Sequence, residues 1–186
     1  MKRFPMNTAT DSQPTTFDGL LQKTQRCSRY ARHVLEADPS LLNWLQENYT
    51  TPCDRAEMQA LLQSSFPQPS PQPSPAYGGG SNRVADATNS FDSEAGLTRA
   101  VRKLRKQVMV KLILRDLNGL CDLDEVMQAM TALAEVCVQQ AQACLMQSLQ
   151  AQFGTPLDET GAAPQPLLVI GMGKLGGGEL NVSSDI

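Results

Sequence analysis

LLVIGMGKLGGGELNVSSDI, residues 167 to 186, decides how this 186-residue chain is read. Leu167-Leu168-Val169-Ile170 is a four-residue apolar run of the kind that forms a buried strand. Gly171, Gly173, Gly176, Gly177 and Gly178 follow at once, so the backbone must leave that strand through a tight, permissive turn. Ser183-Ser184-Asp185-Ile186 then sets an acid beside an apolar residue, as at the opening of a second strand. Strand, glycine turn, short helix and a strand opening with a carboxylate make a nucleotide-handling site. Backbone N–H groups at the turn hold phosphate, and the carboxylate holds a divalent cation that bridges phosphate oxygens.

Three readings compete for the glycines. Gly171-Met172-Gly173-Lys174-Leu175-Gly176 fits the dinucleotide fingerprint G-x-G-x-x-G after a strand. That fingerprint requires a full helix next and an acid about twenty residues on. Here Gly177, Gly178, Asn181, Ser183, Ser184 and Asp185 follow instead. A phosphate loop requires Ser or Thr after its lysine, and Lys174 is followed by Leu175. The third reading is a nucleotidyltransferase site of the DNA polymerase β type, a glycine turn followed at fixed distance by S-D-x-D. A purely structural strand–turn–helix stays open beside all three.

The string from Gly171 to Ile186 resembles the signature of bacterial glutamine synthetase adenylyltransferase, the bifunctional enzyme that is also an adenylyl-removing enzyme. Beyond the glycines, Lys174, Leu175, Glu179, Leu180, Asn181, Ser184 and Asp185 all fit the pattern. Upstream, Arg115-Asp116-Leu117, Gly119-Leu120 and Asp122-Leu123 resemble the family's helix junction before this domain. The forms G-M-G-K and E-L-N resemble the first of the family's two nucleotidyltransferase halves. The implied fold is mostly α-helical: an N-terminal helical region leading into the first strand–turn–helix of an incomplete α/β polymerase-β-like nucleotidyltransferase domain.

The resemblance also implies chemistry. The family's enzyme removes AMP from a tyrosine of adenylylated glutamine synthetase by phosphorolysis, releasing ADP, and its other half attaches AMP from ATP. Asp185 is then the catalytic residue and the metal ligand, holding Mg²⁺ against phosphate. Gly171, Gly173, Lys174, Gly176, Gly177 and Ser184 bind nucleotide and phosphate, with Gly173 and Lys174 in the place of the polymerase-type Gly-Ser pair. The Lys174 ammonium neutralises developing charge; a solvated turn residue is the plain alternative. The expected partners are glutamine synthetase, the nitrogen-regulatory PII protein, ATP, ADP and phosphate. In the family the S-D-I is followed by a second Asp and later a third carboxylate. This chain keeps the first alone and is expected to be inactive by itself. Glu179 and Asn181 belong to the pattern without a derived role beyond stabilising the turn.

Composition sets the outer limits. The chain is 41% hydrophobic, 19% charged and only 5% aromatic, with a net charge of −3, which suits helices packed through Leu, Val, Met and Ala. It has no apolar run long enough for a membrane span and no secretory core at its N-terminus. Cys27, Cys53, Cys121, Cys137 and Cys144 form no C-x-x-C pair, so reduced, mostly buried thiols in a cytoplasmic protein are expected. With His33 the one histidine, a zinc site or a histidine-dependent triad is not expected. His33 sits among Arg29, Arg32 and Glu36 and reads as a solvated helix residue.

Four segments follow in order: a helical head (1–63), a Pro/Gly/Ser-rich linker (64–92), a long antiparallel helix pair (93–153) and the start of the nucleotidyltransferase domain (154–186). In the head, residues 1–15 are polar, and Leu20, Leu21, Thr24, Cys27, Ala31, Val34 and Leu35 stripe one helix from Phe17 to Ala37. Asp38-Pro39 reads as the cap and first position of a second helix, with Trp44 as a core anchor. Asp54 with Glu57 reads as a capping box for a third. The linker alternates Pro with Ser and Gln and is read as a spacer. In the pair, Asn118-Gly119 stops the first long helix, and Asp122 with Glu125 caps the second. Met127, Met130 and Met146 read as core filler on that second helix.

The first long helix carries Arg99, Arg102, Lys103, Arg105, Lys106, Lys111 and Arg115, seven of the sixteen basic residues. A solvated face is the leading reading, and contact with an acidic protein partner the next. Nucleic acid is not expected, because the whole chain is acidic and no aromatic residues are interleaved for stacking. Two other functions stay open: a non-catalytic helical interaction fragment working through this basic helix, and a dinucleotide-binding domain.

Overall fold

The structure is a computed structural model that describes residues 16–66 and 83–183, of which 83–93 are described in backbone alone. The polar N-terminus (1–15), most of the proline-rich stretch (67–82) and Ser184, Asp185 and Ile186 lie outside the described residues. The described chain is mostly helical. Its helices are α1 (Phe17–Cys27), α2 (Arg29–Ala37), α3 (Ser40–Asn48), α4 (Arg55–Ser65), α5 (Arg83–Leu117), α6 (Leu123–Phe153) and the short α7 (Gly173–Gly176). No helix among the described residues is long and apolar enough to cross a membrane.

The single helix expected over residues 17–37 is two helices. Ser28 takes an extended conformation, φ −120° and ψ 112°, and serves both neighbours. Its N–H donates to the Thr24 carbonyl (2.8 Å), closing α1, and its Oγ accepts the Ala31 N–H (3.1 Å), opening α2. Asp38 does not cap α3 through its side chain. The helix starts at Ser40, whose hydroxyl donates to the Asp38 carboxylate (2.6 Å), one position from the expected start. α5 begins at Arg83, within the segment read as linker. No proline or glycine interrupts residues 83–95, so nothing local stops the helix from extending backwards.

Both aspartate caps form, but neither expected capping box closes, because the Glu57 and Glu125 carboxylates turn to Lys111 and Arg115 rather than to the cap N–H. Asp54 accepts the Glu57 N–H (2.7 Å) at the start of α4, and Asp122 accepts the Glu125 N–H (2.8 Å) at the start of α6. Gly119, at φ 68°, ends α5: the Leu120 N–H donates to the Arg115 carbonyl (2.8 Å) and the Gly119 N–H to that of Asp116 (3.0 Å). That pair of bonds is the left-handed glycine stop that turns α5 back into α6.

The second half of α5 is the axis of the molecule. One side supplies Leu104, Val108, Met109 and Leu112 to a core shared with Met58 and Leu62 of α4 and with Val126, Met130, Leu133 and Val136 of α6. The opposite side supplies Val110 and Leu114 to a second core with Val34 and Leu35 of α2 and Leu41 and Leu45 of α3. The sequence boundary near residue 63 therefore divides the chain without dividing its core. α1 is tied on by Asn118, whose buried amide donates to the Leu114 carbonyl (2.7 Å), Thr24 Oγ1 (3.0 Å) and the Leu20 carbonyl (3.3 Å). His33 is exposed, as expected.

Two of the seven α5 cations from Arg99 to Arg115 are not solvated. Lys111 is 0% exposed and Arg115 is 4% exposed. Lys111 Nζ donates to both carboxylate oxygens of Glu57 (2.7 and 2.8 Å), to Thr51 Oγ1 (3.2 Å) and to the Pro52 carbonyl (3.3 Å). Trp44, half-buried where a full core anchor was expected, lies beside that ammonium, 5.9 Å from ring centre to Nζ. Arg115 donates to both oxygens of Glu125 (2.8 and 2.9 Å) and to the carbonyls of Tyr49 (2.8 Å) and Leu120 (2.9 Å). Burying such cations requires this degree of pairing. Arg99, Arg102, Lys103, Arg105 and Lys106 are exposed.

Leu167–Ile170 does not form the expected buried strand. The four residues belong to no regular element, and all are exposed, Ile170 at 80%. A strand needs a neighbour to take its backbone groups, and among the described residues the sole β pairing is the isolated bridge between Leu157 and Pro164. One contact fastens the run to the helices: the Gln142 side-chain amide of α6 donates to the Leu167 carbonyl.

Candidate functional site

Between the end of α6 and the glycines, the loop is shaped by Asp158. Its carboxylate accepts the Thr160 hydroxyl (2.8 Å) and the N–H groups of Ala162 (3.0 Å) and Ala163 (3.3 Å). Those bonds, the Thr160 hydroxyl foremost, hold its carboxyl below the ordinary aspartate range. The chain then runs through Leu167–Ile170 into a compact glycine turn.

That turn is one helical turn with no side-chain cap at its start and a closed exit. Met172, at φ −123° and ψ 167°, precedes α7, and the Gly177 N–H donates to the Gly173 carbonyl (2.9 Å). At the exit, the Glu179 N–H reaches back to the Lys174 carbonyl (2.8 Å) and the Gly178 N–H to the Leu175 carbonyl (3.2 Å). Gly178 stands at φ 72°, so this is a Schellman stop in which an L side chain would be strained. Gly176 is held by proximity: a Cβ there would lie 2.5 Å from the Gly171 carbonyl oxygen. Gly171 and Gly176 thus pinch the base of the loop together.

The turn is anchored from below. Leu180 is 4% exposed and belongs to the core between α5 and α6, with Leu175 and Val182 partly buried against the same core. Lys174 and Glu179 point outward and are exposed, while Gly171, Gly173, Gly176 and Gly177 form the exposed rim. Beyond Leu180, Asn181 Oδ1 accepts the Ser183 N–H (3.2 Å) and the Ser183 hydroxyl (2.9 Å). This Asx turn fixes the backbone at the last described residue before Ser184 and Asp185.

Gly171, Gly173, Lys174, Gly176 and Gly177 therefore come together in one solvent-facing loop. Ser184 and Asp185 lie outside the described residues, so their distances to it are not part of the geometry. Among the described residues no three His, Cys, Asp or Glu side chains gather to hold a metal ion. The dinucleotide reading meets an obstacle in the loop itself. Its fingerprint needs a long helix packed on a sheet, and the helix here has four residues.

Sequence reasoning left Glu179 and Asn181 without assigned parts. Asn181 builds the Asx turn, a local pattern that its position two residues before a serine makes readable. Glu179 supplies the back-bonded N–H of the Schellman stop, and its side chain lies close to Gly177, where a Cβ would stand 3.8 Å from it. The docking of Leu180 was hidden, because nothing local distinguishes one buried leucine after a glycine turn from an exposed one.

Comparison with known proteins bears on the same residues. The family model for glutamate–ammonia ligase adenylyltransferase matches residues 56–186, from α4 through the glycine turn. A protein of Nitrosomonas eutropha, named bifunctional glutamine synthetase adenylyltransferase/adenylyl-removing enzyme, is 41% identical over 161 residues, covering 86% of this chain and 15% of that protein. A protein of the same name from Chromobacterium violaceum is 37% identical over 173 residues, covering 93% of this chain and 17% of its own length. Another, from Ralstonia nicotianae, is 50% identical over 95 residues, covering 51% of this chain and 10% of its own length. The chain thus spans no more than 17% of the length of these relatives.

Proposed function

The chain belongs to the glutamate–ammonia ligase adenylyltransferase family, and from that premise we propose that its glycine turn is the phosphate-holding part of a nucleotidyltransferase site. The observation that carries this reading is the turn itself: a one-turn helix closed by a Schellman stop, with its N-terminal N–H groups at the surface and Lys174 beside them. First-turn N–H groups have no acceptor within their own helix and favour anions. In this reading the N–H groups of Gly173 and Lys174 contact phosphate oxygens, and the Lys174 ammonium offsets the negative charge that grows on them during transfer. Gly171, Gly176 and Gly177 keep the rim free of side chains so that phosphate can approach the backbone. Asn181 orients the segment leading to Ser184 and Asp185.

The relatives' names cover adenylyl transfer to and removal from glutamine synthetase, and the finer chemistry that follows is our proposal. In a polypeptide of their length, one site removes AMP from a tyrosine of glutamine synthetase by phosphorolysis, with ADP as product, and another attaches AMP from ATP. Glutamine synthetase, ATP, ADP and phosphate are then the partners, the PII protein the regulator, and the cytoplasm the setting. Asp185 is the carboxylate proposed to bind Mg²⁺, which when bound supplies positive charge at the phosphates. Among the described residues no cluster of His, Cys, Asp or Glu fits a divalent ion.

The test is ADP release from adenylylated glutamine synthetase by a polypeptide that carries this sequence at the relatives' length. Replacing Lys174 by Ala is expected to lower turnover about tenfold or more, in line with loss of one charge-stabilising group. An unchanged rate would remove Lys174 from the site.

A further inference from the structure

The charges of this chain are segregated in sequence, and the fold brings the two basic segments together. From residue 19 to 35 there are cations at Lys23, Arg26, Arg29 and Arg32 and no acid, and from 95 to 115 there are seven cations and no acid. The first segment covers α1 and α2 except for their outer ends, where Asp18 and Glu36 stand; the second covers most of α5, and both short helices pack directly on α5. Tyr30 of α2 packs partly buried against both cores that α5 separates, so α2 lies along α5.

Lys111 and Arg115 are consumed by Glu57 and Glu125, and the remaining cations are not. Arg26, Arg29 and Arg32 on one side and Arg102, Arg105 and Lys106 on the other are exposed. Among the described residues none of these six makes an ion pair or a side-chain hydrogen bond; the ion pairs there are Arg55–Glu135, Lys111–Glu57 and Arg115–Glu125. Exposed like charges that lie within a Debye length of one another repel. They cost stability in the isolated chain and yield a field that draws an oppositely charged surface.

We infer that this α1/α2/α5 face is a docking surface for an acidic protein surface. The patch is bounded, on a chain whose net charge is −3. A compact acidic patch on a protein fits the cations between the exposed acids Asp18 and Glu36 at the outer ends of α1 and α2, whereas a long nucleic acid would also run over the negative remainder. Base stacking has no platform here, because Tyr30, the aromatic residue of the patch, is half-buried with its ring against the core. The inference is independent of the glycine turn and of any catalytic reading.

The experiment uses the whole chain and a fluorescein-labelled polyglutamate peptide, read by fluorescence anisotropy, with a single-stranded DNA of equal charge as competitor. The expected result is peptide binding that weakens steeply with salt. The triple variant Arg102→Glu, Arg105→Glu, Lys106→Glu is expected to bind about tenfold or more weakly, with circular dichroism unchanged. The milder set Arg102→Gln, Arg105→Gln, Lys106→Gln is expected to fall between. Equal peptide binding by wild type and both variants would overturn the inference, and so would tighter binding of the DNA than of the peptide.

Discussion

Lys111 and Glu57, fifty-four positions apart in sequence, meet with the ammonium 2.7 and 2.8 Å from the two carboxylate oxygens. This contact joins the first turn of α4 to the buried middle of α5. A second contact of the same design lies one helical turn further along α5, where Arg115 takes both oxygens of Glu125 at the start of α6. Each glutamate gives its N–H to a capping aspartate and its carboxylate to a cation on α5. One residue thereby starts a helix and fixes where that helix lies.

Glu57→Gln is expected to destabilise the chain by about 3 to 5 kcal/mol, because it leaves a buried ammonium without its counter-charge. The paired replacement Glu57→Leu with Lys111→Met removes both charges and is expected to recover most of that loss. Urea denaturation of the three proteins checks this. Equal stability of Glu57→Gln and wild type would show that the pair does not hold α4 to α5.

The glycine turn should tolerate different substitutions unequally. Gly178→Ala puts an L side chain at φ 72° and is expected to cost about 1 kcal/mol, with the turn retained. Gly176→Ala sets a Cβ against the Gly171 carbonyl and is expected to open the loop. Amide NMR shifts over residues 171–180 separate the two outcomes: a local change at Gly178, a change throughout the turn at Gly176.

The thiols predict a pH effect. Burial pushes the Cys53 thiol up to about 12, and burial likewise raises Cys121 and Cys137 to about 11. An acid whose pKa is raised by folding contributes stability that is complete below its unfolded pKa and is lost as pH climbs towards the folded value. Stability should therefore fall between about pH 9 and 12, and Cys53→Ala should flatten that fall. At pH 8, iodoacetamide followed by mass spectrometry is expected to label the exposed Cys27 well before Cys53 or Cys137.

What the sequence revealed was local. The Asp54 and Asp122 caps, the Gly119 stop and the glycine turn depend on neighbours within five residues, and each was legible. Burial of Lys111 and Arg115 depends on partners from Tyr49 to Glu57 and on Glu125, which a helical wheel of α5 cannot contain. The wheel shows a basic face; the fold divides it into a buried half and an exposed half. The break at Ser28 was missed for a related reason. The apolar stripe continues across it, while the decision lies with one serine that caps in both directions. The reverse error occurred at Leu167–Ile170, where an apolar pattern implied a strand and the described residues provide no neighbouring strand to complete it.

The family was recognised by resemblance over the whole string from Gly171 to Ile186; the structure explains two of its glycines, Gly178 at the Schellman stop and Gly176 at its close approach to Gly171. Lys174 and Asp185 were read from the same string for chemical reasons. Their roles depend on distances to a substrate, which no sequence pattern contains.

The most direct test of the proposed function is metal-dependent ADP release from adenylylated glutamine synthetase by a polypeptide of the relatives' length, wild type against Asp185→Asn. The expected result is loss of adenylyl removal in the variant with unchanged thermal melting. Near-normal turnover by Asp185→Asn would contradict the assignment of Asp185 as the metal-binding carboxylate and, with it, the reading of the glycine turn as one side of that site.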